Sequence, residues 1–410
     1  MSLYKLKELG SFKNGANYPK GSYGKGLPII NVKDLFTTRY VDLSDLVELL
    51  EGTLRNEDDY TVENNDILFS RSSLVQSGAG MCAIVHGLKE KTLFCGFIIR
   101  FRINRTDIVN PLYLLYLLRT PVYRKLFTGT QQTNIANINQ DTLGDIEVDL
   151  PDIDVQNEIV SVLNNIDTKV DLNNSICADF EAMIKQIYDY WFVQFDFPDE
   201  NGKTYKSSGG KMVMNEELGR EIPEGWEVKT IGDIVINHDS ERIPVANKDR
   251  DAMAGNIPYY GATGIMGYVN RAIFHGDYVL LAEDGSVMDK NGHPIIQRVW
   301  GDVWVNNHAH VLEPTDGYSC KLLMMVLSEI PVVQIKSGSI QAKINQANLN
   351  RWKIPDIPES LKRAFDNIVI PIEKELINTI EENQELTSLR DYLLPLLMNG
   401  QVTFSDQEGA

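Results

Sequence analysis

The stretch VQNEIVSVLNNIDTKVDLNNSICADFEAMIKQIYDYWF, residues 155 to 192, holds no glycine or proline over 38 residues. As one helix it would be about 57 Å long at ~1.5 Å per residue. Ile159, Leu163, Ile166, Val170, Asn173, Cys177, Phe180, Ile184, Ile187 and Trp191 alternate at spacings of four and three, which is the stripe of a coiled-coil seam. Asp154 stands where an N-cap side chain would accept from the first turn. Asn173 interrupts the stripe midway, and a buried amide there penalises shifted registers because a slip takes away its partner. A second stretch, roughly Glu359 to Met398, repeats the stripe at an offset of 202 through Leu361, Phe365, Ile368, Ile372, Leu386, Leu389 and Leu393. Its middle is less regular: Glu375, Thr379 and Glu382 take the equivalent positions, the apolar residues drift to Leu376 and Ile380, and Pro371 predicts a kink or a restart. Facing seams predict that the two helices pair with each other; the alternative is that each covers its own domain.

Working outward from the helices, the chain reads as one plan stated twice. Tyr4 to Gly10 (YKLKELG) parallels Trp226 to Gly232 (WEVKTIG) at an offset of 222, Ile138 to Leu143 parallels Ile344 to Leu349 at 206, and Asp189-Tyr190 parallels Asp391-Tyr392 at 202. Each half holds a globular part with β-rich runs, at 66–70 and 95–101 in the first and 278–282 and 303–312 in the second, and a helical stretch at 111–118 or 319–327. These readings predict a mixed α+β fold with an internal pseudo-two-fold repeat: a first domain at 1–150, a first long helix at 151–195, a connector at 196–222, a second domain at 223–355, a second long helix at 356–400 and a tail at 401–410.

The chain has 410 residues, too many for a single small module, and a formal charge of −18. Taken alone, that charge counts against nucleic-acid binding, because phosphate contacts need Lys and Arg. The acid is unevenly placed, however. Residues 1–150 carry 17 basic and 17 acidic groups and 223–358 carry 12 and 16, whereas 151–222 carry 6 and 14 and 359–410 carry 4 and 10. A local positive face is thus open to either globular part, and the acidic helical segments read as solvated surface or as a docking surface for a basic partner. The apolar runs fall far short of the roughly 20 residues that span a bilayer, and the first residues lack a secretory signal, so no membrane span and a cytoplasmic location are expected. Cys82, Cys95, Cys177 and Cys320 form no C-x-x-C pair and read as core thiols.

Catalytic motifs are missing. Gly21-Ser22-Tyr23-Gly24-Lys25-Gly26 lacks the spacing and hydroxyl of a P-loop, and there is no G-x-S-x-G elbow, no G-x-G-x-x-G after a strand and no N-P-P-Y or D-P-P-Y string of an adenine methyltransferase. His308 and His310 would share one face of a strand, but no third ligand has metal-site spacing, so no metal is expected. Asp284 reads as a turn residue after a strand, with a catalytic carboxylate as the weaker reading. The chain is expected to be a non-catalytic protein.

Several strings resemble one family. Asp189 to Phe195 (DYWFVQF), Gly219 to Trp226 (GREIPEGW), Leu389 to Gly400 (LRDYLLPLLMNG), Ile257 to Gly264 (IPYYGATG) and the run 306–310 are similar to the specificity subunits of type I restriction-modification systems. The resemblance implies two target recognition domains held apart by two long antiparallel coiled-coil helices, each domain reading half of a bipartite double-stranded DNA target. It implies two methyltransferase subunits docked on the helices and restriction/translocase subunits beyond them, in a bacterial or archaeal cell. It places S-adenosylmethionine in the partner methyltransferase, and ATP and Mg in the motor subunit, with no cofactor in this chain. Two readings stand beside it: the specificity subunit of an orphan, methylation-only system, and a two-headed scaffold that binds no DNA.

Base edges are read by Arg or Lys on guanine and by Asn or Gln on adenine. The candidate DNA-binding residues are therefore Lys25, Arg71, Gln131, Gln132 and Asn134 in the first domain. In the second they are Thr263, Lys290, Asn306, His308, His310, Ser339, Gln341 and Lys343. The segments before Ile138 and Ile344 occupy corresponding places in the duplication, and both are polar and free of acid.

Overall fold

Ile67–Ser70 is apolar at consecutive positions, the pattern of a strand covered on both faces. In the computed structural model, which describes residues 2–19, 21–36, 38–73, 78, 80–128, 136–338 and 342–402, this strand is buried throughout. Ile67 and Phe69 face one apolar cluster and Leu68 faces another. Tyr278–Ala282 repeats the arrangement, with Val279 and Leu281 in one cluster and Leu280 in a second. The two strands are the centres of two compact units, one of Met1–Asn173 with Glu381–Ala410, the other Asn174–Ile380.

The first unit contains β1 (Ser2–Lys5), α1 (Leu6–Leu9), β2 (Gly10–Asn14), β3 (Gly26–Ile30), β4 (Val47–Leu50), β5 (Ile67–Ser70), β6 (Ser72–Ser73), β7 (Cys82–Ile84), β8 (Leu93–Phe94) and β9 (Ile98–Ile103). It continues with α2 (Pro111–Arg119), α3 (Pro121–Thr128), β10 (Ala136–Asn137), α4 (Gln140–Gly144), β11 (Glu147–Leu150) and the start of α5 (Ile153–Tyr188). Its main sheet has the order β2-β9-β5-β7, and β3 pairs antiparallel with β4 and parallel with β8.

The second unit receives the rest of α5, then β12 (Met212–Asn215), β13 (Arg220–Pro223), β14 (Val228–Thr230), α6 (Ile231–Ile234), β15 (Val235–Asn237), α7 (Asn247–Ala252), β16 (Ile257–Gly261), β17 (Gly264–Val269) and β18 (Phe274–His275). There follow β19 (Tyr278–Ala282), β20 (Ile296–Val299), β21 (Asp302–Val305), β22 (Ala309–Pro314), α8 (Cys320–Ser328), α9 (Val332–Ile335), β23 (Lys336–Ser337), β24 (Lys343–Ile344), α10 (Gln346–Asn350), β25 (Lys353–Pro355) and α11 (Glu359–Met398). The order β15-β22-β19-β20 repeats the first sheet, and β16 pairs antiparallel with β17 and parallel with β21, as β3 does with β4 and β8. The duplication seen in the sequence is a duplication of topology. The run 303–312, expected as one strand, is two, parted by a turn at Asn306–His308.

Burial corrects the registers of the repeat. Leu6 N bonds the Ile146 carbonyl at 3.0 Å and Ile231 N bonds Trp352 at 2.9 Å, while Lys5 N donates to the Glu8 carboxylate and Thr230 N to Asp233. Leu6 thus corresponds to Ile231, an offset of 225, not 222. A close contact inverts between the copies at this place. A Cβ on Gly144 would meet Lys7 Cβ at 3.3 Å, and one on Gly232 would meet Asn350 Cβ at 3.1 Å. The small residue has changed sides of the same helix contact.

In the first unit α5 and α11 run antiparallel: Ile159 and Leu163 share a core with Leu397 and Met398, and Asp167 pairs with Arg390 at 2.9 Å. In the second, Tyr188, Trp191 and Phe192 pack their rings on Phe365, the last two from a π-type turn at Asp189–Val193. The buried sets match at an offset of 206, one helical turn from 202. Accordingly Ile159, Leu163, Asn173, Ile184 and Phe365 are buried, and Ile166, Val170, Phe180, Ile187, Leu361, Ile372, Leu386 and Leu393 are half-buried. Ile368 and Leu389, expected on the seam, are 42% and 46% exposed, whereas Val369 is fully buried. α11 also runs unbroken through Pro371; Pro371 and Asn367, whose carbonyl the proline leaves unbonded, are both exposed to water. Each helix pairs with the other and also covers the core of its unit, so the two expectations for the helices describe one arrangement. Asn173 finds its partners: its Nδ2 donates to Glu382 at 2.7 Å and to Asn383 at 2.9 Å.

The helices are fastened to the sheets by buried polar groups at equivalent places. Gln156 Nε2 donates to the carbonyls of Ile108 and Pro151, both at 2.8 Å, and Lys362, 206 residues on, donates to the Asp316 carbonyl at 2.6 Å. Asp167 accepts from the Tyr116 hydroxyl at 2.6 Å, with Arg39 at 3.9 Å, and the equivalent Glu373 pairs with Arg298. The long helices are therefore not units apart, as the 151–195 and 356–400 divisions supposed; each is shared out between the two compact bodies.

Candidate nucleic-acid interface

In both units the chain returns to the end of the central strand through the segment that precedes the matched Ile138 and Ile344. Ile138 N donates to the Arg71 carbonyl at 2.9 Å and Ile344 N to the Glu283 carbonyl at 2.8 Å. Arg71, after β5, and Glu283, after β19, are thereby joined to the described ends of the two return segments, a place next to a rigid sheet where recognition residues are commonly carried.

In the first unit Arg71 is half-buried here, its Nη1 reaching the Gly96 carbonyl at 3.5 Å. Lys25 is exposed at the entry to β3, on the other sheet. Gln131, Gln132 and Asn134 lie outside the described residues, as do Ser339 and Gln341 of the second unit.

In the second unit a line of contacts joins most of the remaining candidates. Thr263 is exposed at the tip of the β16–β17 hairpin. Behind that hairpin Asn306 is only 3% exposed, with Nδ2 against Met266 Sδ at 3.3 Å and Oδ1 accepting from His308 N at 2.8 Å. His308 is accessible and its Nδ1 lies 2.6 Å from Asp284, which follows β19 and forms a bridge with Lys343. Lys343 is exposed and pairs with Glu283 at 2.9 Å. Lys290 is exposed in the Asp289–Gly292 turn, whose Gly292 carbonyl accepts from Val332 N, away from this line.

Two expectations are corrected here. Asn306 and His310 do not face outward to base edges, because both are buried; Asn306 holds the hairpin and the 306–308 turn. His310 is 1% exposed, its Nδ1 2.5 Å from Asp239 and its Nε2 2.9 Å from the Ile344 carbonyl. Nor do His308 and His310 share a strand face, since His308 belongs to the turn. The sequence around His310, with Ala309 before it and Val311 and Leu312 after it, gives no sign of its partner Asp239, which lies 71 residues earlier in the chain.

Asp239, Glu283 and His310 bring ligand-type atoms within 4.8 Å of one another. The set is already neutralised from within: Arg242 pairs with Glu283 at 2.7 Å and approaches Asp239 at 3.5 Å, and Lys343 pairs with Glu283. Although burial opposes ionisation, the His310 contact holds Asp239 below the ordinary carboxylate range, and Lys343 and Arg242 do the same for Glu283. The Glu283 partner in turn raises Lys343. The network ties β15, β19, β22 and β24 together and presents Lys343 and His308 at its edge.

The model of the type I restriction modification DNA specificity domain matches residues 1–181 and again 223–382. The chain belongs to this family. Over 428 aligned residues, 97% of this chain and 92% of the relative, it is 25% identical to the MjaIX specificity subunit of Methanocaldococcus jannaschii. It is 33% identical over 160 residues to a putative type I restriction enzyme specificity subunit of Haemophilus influenzae, an alignment that covers 38% of this chain and 40% of that relative. The crystal structure of the S subunit of a type I restriction-modification system from M. genitalium shares the fold, with a TM-score of 0.57 at 16% identity over 99% of this chain and 96% of that one. The two matched segments of the specificity family fall on the two halves of the duplication. Among the described residues no helix is long and apolar enough to cross a membrane.

Proposed function

We propose that this chain is the DNA-reading subunit of a type I restriction-modification complex and performs no covalent chemistry itself. Each unit reads one half of a bipartite double-stranded target. The observation that carries the reading is the separate match of a DNA specificity domain to each of two units of the same topology. Different side chains stand at the same place in the two copies, Arg71 in one and Glu283, Asp284, His308 and Lys343 in the other, which suits readers of two unlike half-sites. The acidic long helices, with 14 acidic against 6 basic groups over 151–222, supply a surface for basic partners. The partners are two methyltransferase subunits, which hold S-adenosylmethionine, and restriction/translocase subunits, which use ATP and Mg. A protein that is not basic overall can serve here because the partners contribute to the phosphate clamp.

The test is long-read methylation sequencing of DNA from cells that express the chain with its methyltransferase, against cells lacking the chain. A methylated bipartite motif that appears only with the chain is the expected result and displays both half-sites. No chain-dependent motif, from a methyltransferase shown to be active with another specificity chain, refutes the reading in favour of a scaffold. Chain-dependent methylation without cleavage of unmodified DNA identifies a methylation-only system.

A further inference from the structure

One turn is built the same way in both units. In the first it joins β8 to β9 at residues 95–97, and in the second it joins β21 to β22 at 306–308. Cys95 N donates to the Ile30 carbonyl of β3, and Asn306 N donates to the Tyr260 carbonyl of β16, both at 3.0 Å. Arg71 N donates to the Phe97 carbonyl and Glu283 N to the His308 carbonyl, both at 2.8 Å. The carbonyls of Arg71 and Glu283 in turn accept from Ile138 and Ile344, the described ends of the return segments. Phe97 and His308 are therefore the same position of the fold, 211 residues apart.

The frame of the turn is fixed in each unit, and the side chain it presents differs. In the first, Gly96 N donates to the Ala16 carbonyl at 2.7 Å, and a Cβ on Gly96 would collide with Asn17 Oδ1. The backbone is thus clamped, yet Phe97 beside it is 64% exposed. An apolar ring left in water gains nothing from folding and suits an apolar group brought by a partner. In the second, Asn306 Oδ1 accepts from His308 N at 2.8 Å and Asp284 holds His308 Nδ1 at 2.6 Å. That leaves Nε2, on a side chain 47% exposed, as the one polar atom of His308 with no partner among the described residues. A carboxylate only accepts, so the proton of the neutral ring sits on Nδ1 and Nε2 offers a lone pair.

We propose that this position is a base-reading point in each unit: Phe97 packs on the C5-methyl of a thymine in one half-site, and His308 accepts from an exocyclic amine, adenine N6 or cytosine N4, in the other. The inference rests on the DNA-reading function above and adds to it a pair of residues that makes the two half-sites unlike. Asp284 is a positioning residue, since it decides which ring nitrogen of His308 is bare.

The experiment sequences methylated DNA from cells that express variants of the full chain with its methyltransferase. Phe97→Ala lowers discrimination at one base position of one half-site by about tenfold, and His308→Ala does so at one position of the other. Phe97→Leu, which stays apolar, keeps the thymine. His275→Ala, whose ring meets Asp302 at the far end of β21, leaves both half-sites unchanged. Binding of the complex to duplexes with altered bases at those two positions then reads the chemistry. Uracil for thymine weakens the wild type by about tenfold and leaves Phe97→Ala unaffected; purine for adenine, or 2-pyrimidinone for cytosine, does the same to the wild type and spares His308→Ala. Asp284→Asn loses the preference for the amine at an unchanged melting midpoint, because an amide can donate to Nδ1 and turn Nε2 into a donor. Wild-type motifs in both alanine variants overturn the proposal and leave the DNA-reading function standing, whereas a wild type with no chain-dependent motif overturns both. Loss of both half-sites together in either alanine variant, at an unchanged melting midpoint, also overturns it. A penalty from 7-deazaguanine in place of the one from the amine-free base overturns the acceptor role of His308.

Discussion

Val369→Ala and Ile368→Ala are adjacent substitutions with opposite expectations from the two possible seam registers. In the structure Val369 is fully buried in the core of the second unit and Ile368 is 42% exposed. Removing two methyl groups from a closed site loses their transfer free energy and leaves a cavity between α11 and its neighbours, for a loss of about 2 kcal/mol. Ile368→Ala deletes more carbon, and on the 202 register it would cost about 3 kcal/mol; at its actual exposure the loss stays below about 1 kcal/mol. For a body of the size of Asn174–Ile380, Val369→Ala lowers the melting midpoint by about 4–8 °C. Urea titration read by far-ultraviolet circular dichroism, with calorimetry to separate the transitions of the two units, gives the comparison. Leu163→Ala, at the equivalent seam position of the first unit, loses about 3 kcal/mol in that unit's transition. A larger loss for Ile368→Ala than for Val369→Ala would refute the register argument.

Three further outcomes follow from the same contacts. Replacing the buried Asn173 by Ala removes two donated bonds and destabilises the first unit by about 1–2 kcal/mol; an unchanged midpoint in urea titration would count against the pairing. Gly232→Ala crowds Asn350 at 3.1 Å and destabilises the second unit by about 1 kcal/mol, and Asn350→Gly in the same chain relieves most of it; additive losses in a double-mutant cycle would show the two are not in contact. Asp239 and Glu283 have folded-state pKa values below their unfolded ones, so their contribution is complete above the ordinary carboxylate range, about pH 4.5, and is lost as pH falls through the depressed values. Asp239→Asn therefore flattens the acid limb of the second unit's stability profile, and an unchanged limb would remove the network from that role.

Legibility differed from one feature to the next for identifiable reasons. The strands at 67–70 and 278–282 announce themselves as unbroken apolar runs, because a strand covered on both faces has no polar face to alternate with. The N-caps Asn139 and Asn345 mark the repeat at 206 because each must accept from the backbone of its own first turn, a local demand written locally. His310, Glu283 and Asp239 were not legible as a set, since a buried charged network is assembled from segments that are distant in the chain.

By itself the sequence determined the repeat, the two long amphipathic helices, the mixed α+β class and the family, all of which rest on local pattern and on strings of adjacent residues. Only the tertiary structure decided the register of the repeat along those helices. A slip of four residues rotates a helix face by about 40°, so the stripes at offsets of 202 and 206 overlap and share Phe365, Ile372, Leu386 and Leu393. What separates them is which residues meet a core, Val369 and Leu397 being enclosed while Ile368 and Leu389 face water, and that is a property of the packed partners that no single stripe contains.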